Sequence, residues 1–458
     1  MNADAAAERI HQASLALLQD PGVRIEHDRI RERLLRAGAR AGAAAQVVRF
    51  PAELVMDSIA RAPREVRLAD RRGGEKRIAA RGPAVVWSTP GLNLWRHGAH
   101  RRFTSGDLAD AARLLDQLPN TDGVFGLALS DLPPGTGDVV GLRIMAENTT
   151  KHIRVLCFTP RGAETLCRMR DVVGPEPWFS VGFTAHGPLR WTRLALDIFE
   201  KTAGHGIPVS INGEPMAGVS GPVTLAGSAA VGNAEILAGL VVNQALEPGR
   251  PCIHNLGLAH IFDMRTANAV TGAPENHLFA ELGAALGRFY GLPSCGWVST
   301  EAMACDEQAA AEKGAGFLAQ LRAGVSLIWG VGQLESELTF APAQAVLDDE
   351  MAAYARRYAR GVEVNEETLA LDVVREVGIA GDYLGHEHTM AHFRGEFFEP
   401  SLAWRKRRAE WAAAGAPPLA RRAEQIADEL IARERPPCLT DEQRRALVEI
   451  EREYLNGV

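Results

Sequence analysis

Cysteine is scarce in this chain, and what there is does not point to metal. The six residues are Cys157, Cys167, Cys252, Cys295, Cys305 and Cys438. No two have CxxC spacing, which argues against a structural zinc site. Six thiols in 458 residues are too sparse for a disulfide scaffold, so a reducing cytosol is the simpler setting. A basic excess is also missing: 50 Lys and Arg face 57 Asp and Glu, a net charge of −7. That leaves no general attraction to nucleic acid. The opening Met1-Asn2-Ala3-Asp4 lacks the basic and apolar regions of a signal peptide. No uncharged apolar run is long enough to span a bilayer, so a cytoplasmic protein is expected. No strand leads into GxGxxG and no P-loop occurs, which disfavours a dinucleotide-binding sheet. Aromatic residues are only 6% of the chain, so their positions carry information.

What is present is a regular alternation. Amphipathic helices are expected at about 3–19, 27–37 and 51–61, the first ended by Pro21-Gly22. A basic stretch at 64–81 follows, and 85–88 with 92–96 reads as a hairpin around Pro90-Gly91. Short apolar runs then recur at 123–129, 152–158, 179–184, 208–212, 252–256, 294–299 and 326–329. Helical stretches separate them at 106–118, 138–148, 162–172, 191–204, 228–246, 276–290 and 306–322. Strands alternating with helices imply parallel βαβ units, and seven of them favour a (β/α)8 TIM barrel over an open sheet. Either 85–88 or a segment beyond 370 supplies the eighth strand. Two charged helices at about 418–434 and 440–455 read as a packed arm or a contact in a homo-oligomer. The expected division is an N-terminal helical extension with hairpin over 1–104, a barrel over 105–400 and a C-terminal helical arm over 401–458.

Catalytic groups of such barrels sit at the C-terminal ends of the strands. There the sequence places Phe125, Phe158, Phe183 and His186, Asn212 and Glu214, His254 and Asn255, Trp297, Glu301, Trp329, Gln333 and Glu335. A methylated ammonium cannot be held by many hydrogen bonds and is held by ring faces, at about 0.5–2 kcal/mol per contact. Phe183, Trp297 and Trp329 are the candidate rings; the alternative is that each merely caps the core. Glu301 and Glu335 can balance a cation or cap a helix, and Asp306 reads mainly as a helix cap. His254 and Asn255 can bind a substrate carboxylate, and a satisfied core histidine is the bland alternative. The Gly218-Val219-Ser220-Gly221 turn can contact phosphate, but Pro222 follows and no lysine does, so a tight turn is the better reading. His386-Glu387-His388, with His392 and Glu396 downstream, has partial metal-ligand spacing without an evident third ligand, and no bound metal is expected.

Two separated motifs point to a family. Gly221-Pro222-Val223-Thr224-Leu225-Ala226-Gly227 runs on to Asn233-Ala234-Glu235-Ile236-Leu237-Ala238-Gly239. Far downstream comes Thr389-Met390-Ala391-His392-Phe393-Arg394-Gly395-Glu396-Phe397-Phe398-Glu399-Pro400. Together, and in this order, they resemble the trimethylamine methyltransferase family over nearly the whole chain. The resemblance implies methyl transfer from a methylated amine to the cobalt of a corrinoid carried on a partner protein. It also implies that the downstream motif packs near the barrel mouth, with Arg394 in an ion pair or binding an anion. Members specific for trimethylamine carry pyrrolysine near the segment matching 333–339, and this chain has only standard residues there. The resemblance therefore points to a quaternary amine such as glycine betaine.

The roles expected are catalytic for Glu301 and Glu335, substrate-binding for Phe183, His186, His254, Asn255, Trp297, Trp329 and Gln333, and corrinoid-facing for Asn212 and Glu214. Competing readings are methyl transfer straight to tetrahydrofolate, a barrel lyase acting on an anion, and a non-catalytic betaine-binding protein. The lyase needs an Arg/Lys cluster at the strand ends, where the sequence offers rings and carboxylates.

Overall fold

Eight short parallel strands close on themselves. They are β1 (Val85–Ser88), β2 (Gly123–Phe125), β3 (His152–Arg154), β4 (Phe179–Thr184), β5 (Val209–Asn212), β6 (Cys252–Gly257), β7 (Ser294–Trp297) and β8 (Leu327–Val331). Each pairs with its neighbours in chain order, and β8 pairs with β1 to complete the ring. A helix follows every strand, from Ser105–Gln117 after β1 to Pro342–Arg360 after β8. This computed structural model describes residues 3–89, 91–126 and 129–457. The closing strand is Val85–Ser88, so the hairpin expected there is displaced. It forms instead from Asn93–Arg96 and Ala99–Arg102.

Strand alternation explains the core. Because side chains alternate across a strand, Val85 and Trp87, Ile253, Cys295 and Trp297, and Leu327 and Trp329 form one interior cluster. Val86, Ile153, Val181, Ile211 and Ile328 join the outer layer under the helices. The base of the barrel is plugged by the ribbon Glu65–Ala69 and Glu75–Ala79, which adds Val66, Leu68 and Ile78 to the interior cluster.

Helix Leu225–Leu246 is long and apolar enough to cross a membrane by composition alone, but 83% of that apolar window is buried. Helices Ala3–Gln19 and Ala52–Arg61 cover it from outside and the barrel lies beneath. Cover on both sides accounts for its apolar character all round.

The glycine-rich signature is a packing device. A side chain at Gly239 would run into the Trp191 ring and Ile211. Asn233 donates to Ser14 Oγ and to Tyr290 Oη, each at 2.9 Å, tying three helices together. Gly218 turns at φ 95°, and its N–H donates to the Gly221 carbonyl at 3.0 Å, a tight turn as expected.

Helix Leu419–Ala432 packs on Pro342–Arg360, and Asp441–Leu455 packs on Pro160–Val173. Between 361 and 400 the chain forms the helices Glu366–Leu369, Leu371–Val377 and Glu387–Glu396, which bury no residue. The downstream motif is therefore not at the barrel mouth. Glu396 lies 3.3 Å from Arg357, and Phe398 packs edge-on to Tyr354, both on helix Pro342–Arg360. That helix runs antiparallel to the strands, so its C-terminal end sits toward the base. Arg394 is exposed and covers the ring of its neighbour Phe393.

Candidate active site

The barrel lumen has two unlike halves. Strands β6, β7, β8, β1 and β2 line it with apolar and aromatic groups, Phe125 and three tryptophans among them. Strands β3, β4 and β5 line it with His152, Arg154, Ser180, Thr184, Ser210 and Asn212.

On the aromatic side Trp297 and Trp329 are register partners on β7 and β8. The Phe125 ring lies 5.3 Å from that of Trp329. Trp297 Nε1 donates to Gln333 Oε1 at 2.6 Å, and Gln333 Nε2 donates to Ser299 Oγ at 2.9 Å. The Gln333 carbonyl accepts from Lys313 Nζ at 2.9 Å. Lys313 also pairs with Asp348 at 2.5 Å, with neither side chain exposed. A buried ion pair thus fixes the loop that positions Gln333, and Gln333 fixes Trp297.

On the polar side Asn212 and Asn255 are register partners. Asn255 Nδ2 donates to Asn212 Oδ1 at 2.9 Å, Ser210 Oγ donates to the same oxygen at 2.6 Å, and Asn212 Nδ2 donates to Thr184 Oγ1 at 3.0 Å. Buried and fully engaged, the Asn212 amide belongs to the wall. Arg154 stands beside this network, with its guanidinium carbon 5.0 Å from the Phe125 ring centre and 5.9 Å from that of Trp329.

The rim carries carboxylates. Glu214 follows β5 and Glu337 follows β8, and the two charges oppose each other. Burial, with the Glu337 and Glu235 charges added, pushes the Glu214 carboxyl up to about 8. Burial pushes Glu337 up to about 7. Both are therefore partly protonated near neutral pH. Glu337 ends a run of three left-handed non-glycine residues, Glu335 (φ 55°), Ser336 (φ 49°) and Glu337 (φ 81°). Each such residue costs on the order of 1 kcal/mol, and runs like this concentrate at functional sites. Glu301 holds the turn: its carboxylate accepts from the N–H groups of Thr271 at 2.7 Å and Gly272 at 2.9 Å, and from the Ser336 hydroxyl.

Of the residues expected from sequence, Trp297, Trp329, Gln333, Asn255 and Asn212 meet in the lumen, with Glu214 above them. Others lie elsewhere. Phe183 faces outward and stacks on Phe199 with ring centres 4.1 Å apart. His254 also faces outward, with Nε2 2.8 Å from Asn233 Oδ1, and burial lowers its pKa to about 4. Both sit one position out of phase with the inward side of their strands. His186 is exposed on a loop whose N–H bonds the Arg190 carbonyl at 2.9 Å. Glu301 braces a turn, as just described. Glu335 accepts from the Thr339 hydroxyl and lies 3.3 Å from His100 Nε2 on the hairpin, so it is spent on loop structure. Asp306 caps its helix, accepting from Gln308 N at 3.0 Å and Ala309 N at 3.1 Å. His386 caps helix Glu387–Glu396 the same way, accepting from His388 N at 3.1 Å. Among the described residues no group of three or more His, Cys, Asp or Glu is placed to hold a metal ion.

Two residues were not singled out from sequence. Arg154 was signalled by alternation, since in His-Ile-Arg it must share the face of His152. Glu337 lies in Gln-Leu-Glu-Ser-Glu, where only the backbone path decides which glutamate reaches the mouth.

The chain matches the sequence model of the trimethylamine methyltransferase (MTTB) family over residues 1–454. A trimethylamine methyltransferase of Desulfitobacterium hafniense is 31% identical, covering 97% of this chain and 92% of its own length. That of Methanosarcina barkeri is 31% identical over 90% of this chain and 86% of its own. A glycine betaine methyltransferase of D. hafniense is 28% identical over 88% of this chain and 87% of its own. In fold the chain is similar to the monomethylamine methyltransferase of M. barkeri, with a TM-score of 0.57, 13% identity, and 98% of this chain and 86% of that one covered. Length, motif order and barrel thus agree from end to end: the chain belongs to the trimethylamine methyltransferase family.

Proposed function

We propose that this protein removes a methyl group from a quaternary methylated ammonium compound and passes it to the cobalt of a corrinoid carried by a separate protein. The observation that carries the reading is the pair Trp297 and Trp329, side by side in the lumen below the carboxyls of Glu214 and Glu337. Ring faces and carboxylates together suit a cation that cannot donate hydrogen bonds.

The carbon–nitrogen bond breaks with its electron pair left on nitrogen. A quaternary ammonium therefore leaves as a neutral amine and needs no proton from the protein. The corrinoid supplies the nucleophile, and this chain's residues supply position. Trp297, pinned by Gln333, and Trp329 hold the ammonium and exclude water. A cage that grips the cation too tightly would stabilise the ground state over a transition state losing its charge. Carboxyls raised to about 8 and about 7 must give up protons to balance the cation at pH 7, and that cost moderates the grip. The rim also fits a docked corrinoid: the Glu214 and Glu337 carboxyls can accept hydrogen bonds from an amide-bearing macrocycle in either protonation state.

The test is incubation with reduced corrinoid protein and a panel of methylated ammonium compounds, read by the absorbance change on corrinoid methylation. Methylation from a quaternary compound supports the reading. Methyl transfer to tetrahydrofolate without corrinoid, or tight binding without turnover, replaces it with one of the alternatives.

A further inference from the structure

We infer that the lumen is built for a zwitterion, with Arg154 binding a carboxylate on the substrate while Trp297 and Trp329 hold its methylated ammonium. The inference rests on the ammonium reading above and adds the other end of the molecule.

Arg154 is 3% exposed, at the inner face of β3. Among the described residues no carboxylate pairs with it. One Nη donates to the Val155 carbonyl beside it, while Nε has no hydrogen-bond partner. Phe125 and Trp329 cover the guanidinium. The indole N–H of Trp329 is likewise buried and unpartnered. Buried charges in folded proteins are paired, because an unpaired one carries a desolvation penalty of several kcal/mol. Burial lowers this guanidinium only to about 9, so it stays charged at neutral pH. Gly182 leaves the room it occupies, since a side chain there would strike Nη2.

A fixed cation, two orphaned donors and an apolar enclosure define a carboxylate site. The two halves of the lumen complete the picture. The aromatic half carries Trp297 and Trp329, and the polar half carries Arg154. Glu214 and Glu337 stand on loops beyond the strand ends, so the negative groups are at the rim and the positive group is lower. A betaine satisfies both only with its carboxylate down and its ammonium up. That orientation presents the methyl groups to the open end, where a nucleophile borne by another protein arrives. No acid or base is required of Arg154; it is a binding and orienting residue.

Calorimetry on the full-length chain separates the two ends. Glycine betaine and tetramethylammonium share a quaternary nitrogen, and only the first has a carboxylate. The wild type is expected to bind betaine about 10–100-fold more tightly, the range of hydrogen bonds to a charged group. Arg154→Met should abolish that preference and leave tetramethylammonium binding unchanged or slightly tighter. Arg154→Lys, which keeps the charge without the planar fork, should restore part of it. The Met variant should melt no lower than the wild type, because it removes an uncompensated buried charge. If it fails to fold, Arg154→Lys decides, through a reduced preference. A folded Met variant that keeps the preference, or that weakens both ligands equally, overturns the assignment. Binding of tetramethylammonium with no preference for betaine in the wild type also overturns it while leaving the ammonium reading intact. Failure of both ions to bind removes both.

Discussion

The indole N–H of Trp297 donates to the side-chain oxygen of Gln333 at 2.6 Å, joining the end of β7 to the loop beyond β8. The contact makes the orientation of one cage ring depend on a residue from another strand. Replacing Gln333 with Leu strands the buried indole donor, at about 1–3 kcal/mol. The expected result is a lower urea midpoint and weaker ammonium binding. Gln333→Glu keeps an acceptor and should keep most of the binding. A Leu variant equal to wild type in both measurements would show that the ring is set by packing alone.

Beneath that contact lies the Lys313–Asp348 pair. Lys313→Met leaves Asp348 buried with Gln344 and the Gly332 N–H as its hydrogen-bond donors among the described residues. Loss of one member of a buried pair costs about 3–5 kcal/mol. The double variant Lys313→Met, Asp348→Leu should recover much of that loss, because no uncompensated charge remains. Chemical denaturation of Lys313→Met, Asp348→Leu and the double variant tests this. Additive losses in the double variant would refute the pairing as the source of the effect.

The barrel was legible because alternating short apolar runs and helices leave few other solutions, and the strand ends followed from it. Which strand closes the ring was narrowed to Val85–Ser88 or a segment beyond 370, and the first closes it; the choice stayed open because Val85–Ser88 is followed closely by another extended piece. Within the site, types were readable and directions were not. Trp297 and Trp329 point in, whereas Phe183 points out, because a single step along a strand exchanges lumen for helix layer. Glu301 and Glu335 had the chemistry to balance a cation, but both are engaged in loop hydrogen bonds, whereas Glu214 and Glu337 stand at the rim. The signature Asn233 is a tie between helices, which sequence alone does not distinguish from a ligand contact.

The tryptophans should act through their faces. Trp297→Leu and Trp329→Leu keep much of the volume and remove the rings. Each should weaken binding of a quaternary ammonium by about tenfold, from about 1–2 kcal/mol of cation–π attraction. A neutral isostere with carbon in place of nitrogen should lose far less. Calorimetry that finds both ligands weakened equally would assign the rings to shape rather than charge. No change in either variant would place the cage elsewhere.

Binding of the cation should release protons. In the folded chain the carboxyl of Glu214 is raised to about 8 and that of Glu337 to about 7, from an ordinary 4.5. For acids raised on folding, the folded chain keeps protons that the unfolded chain has lost. Stability from these two groups therefore falls as pH rises through the window from about 4.5 to 8. A quaternary ammonium at the rim favours the ionised form of each carboxyl and draws both values down. At pH 7 protons must then leave as the ligand enters, and binding must tighten as pH rises toward 8. Titrations at pH 7 in buffers of different ionisation enthalpy report this directly, because the measured heat shifts in proportion to the protons released. Glu214→Gln should reduce the shift, and Glu214→Gln with Glu337→Gln should remove it. The double variant should also flatten the fall in urea midpoint between pH 5 and pH 8, since its side chains do not titrate. A heat independent of buffer in the wild type, with ligand bound, would mean that the ammonium does not sit near these carboxyls.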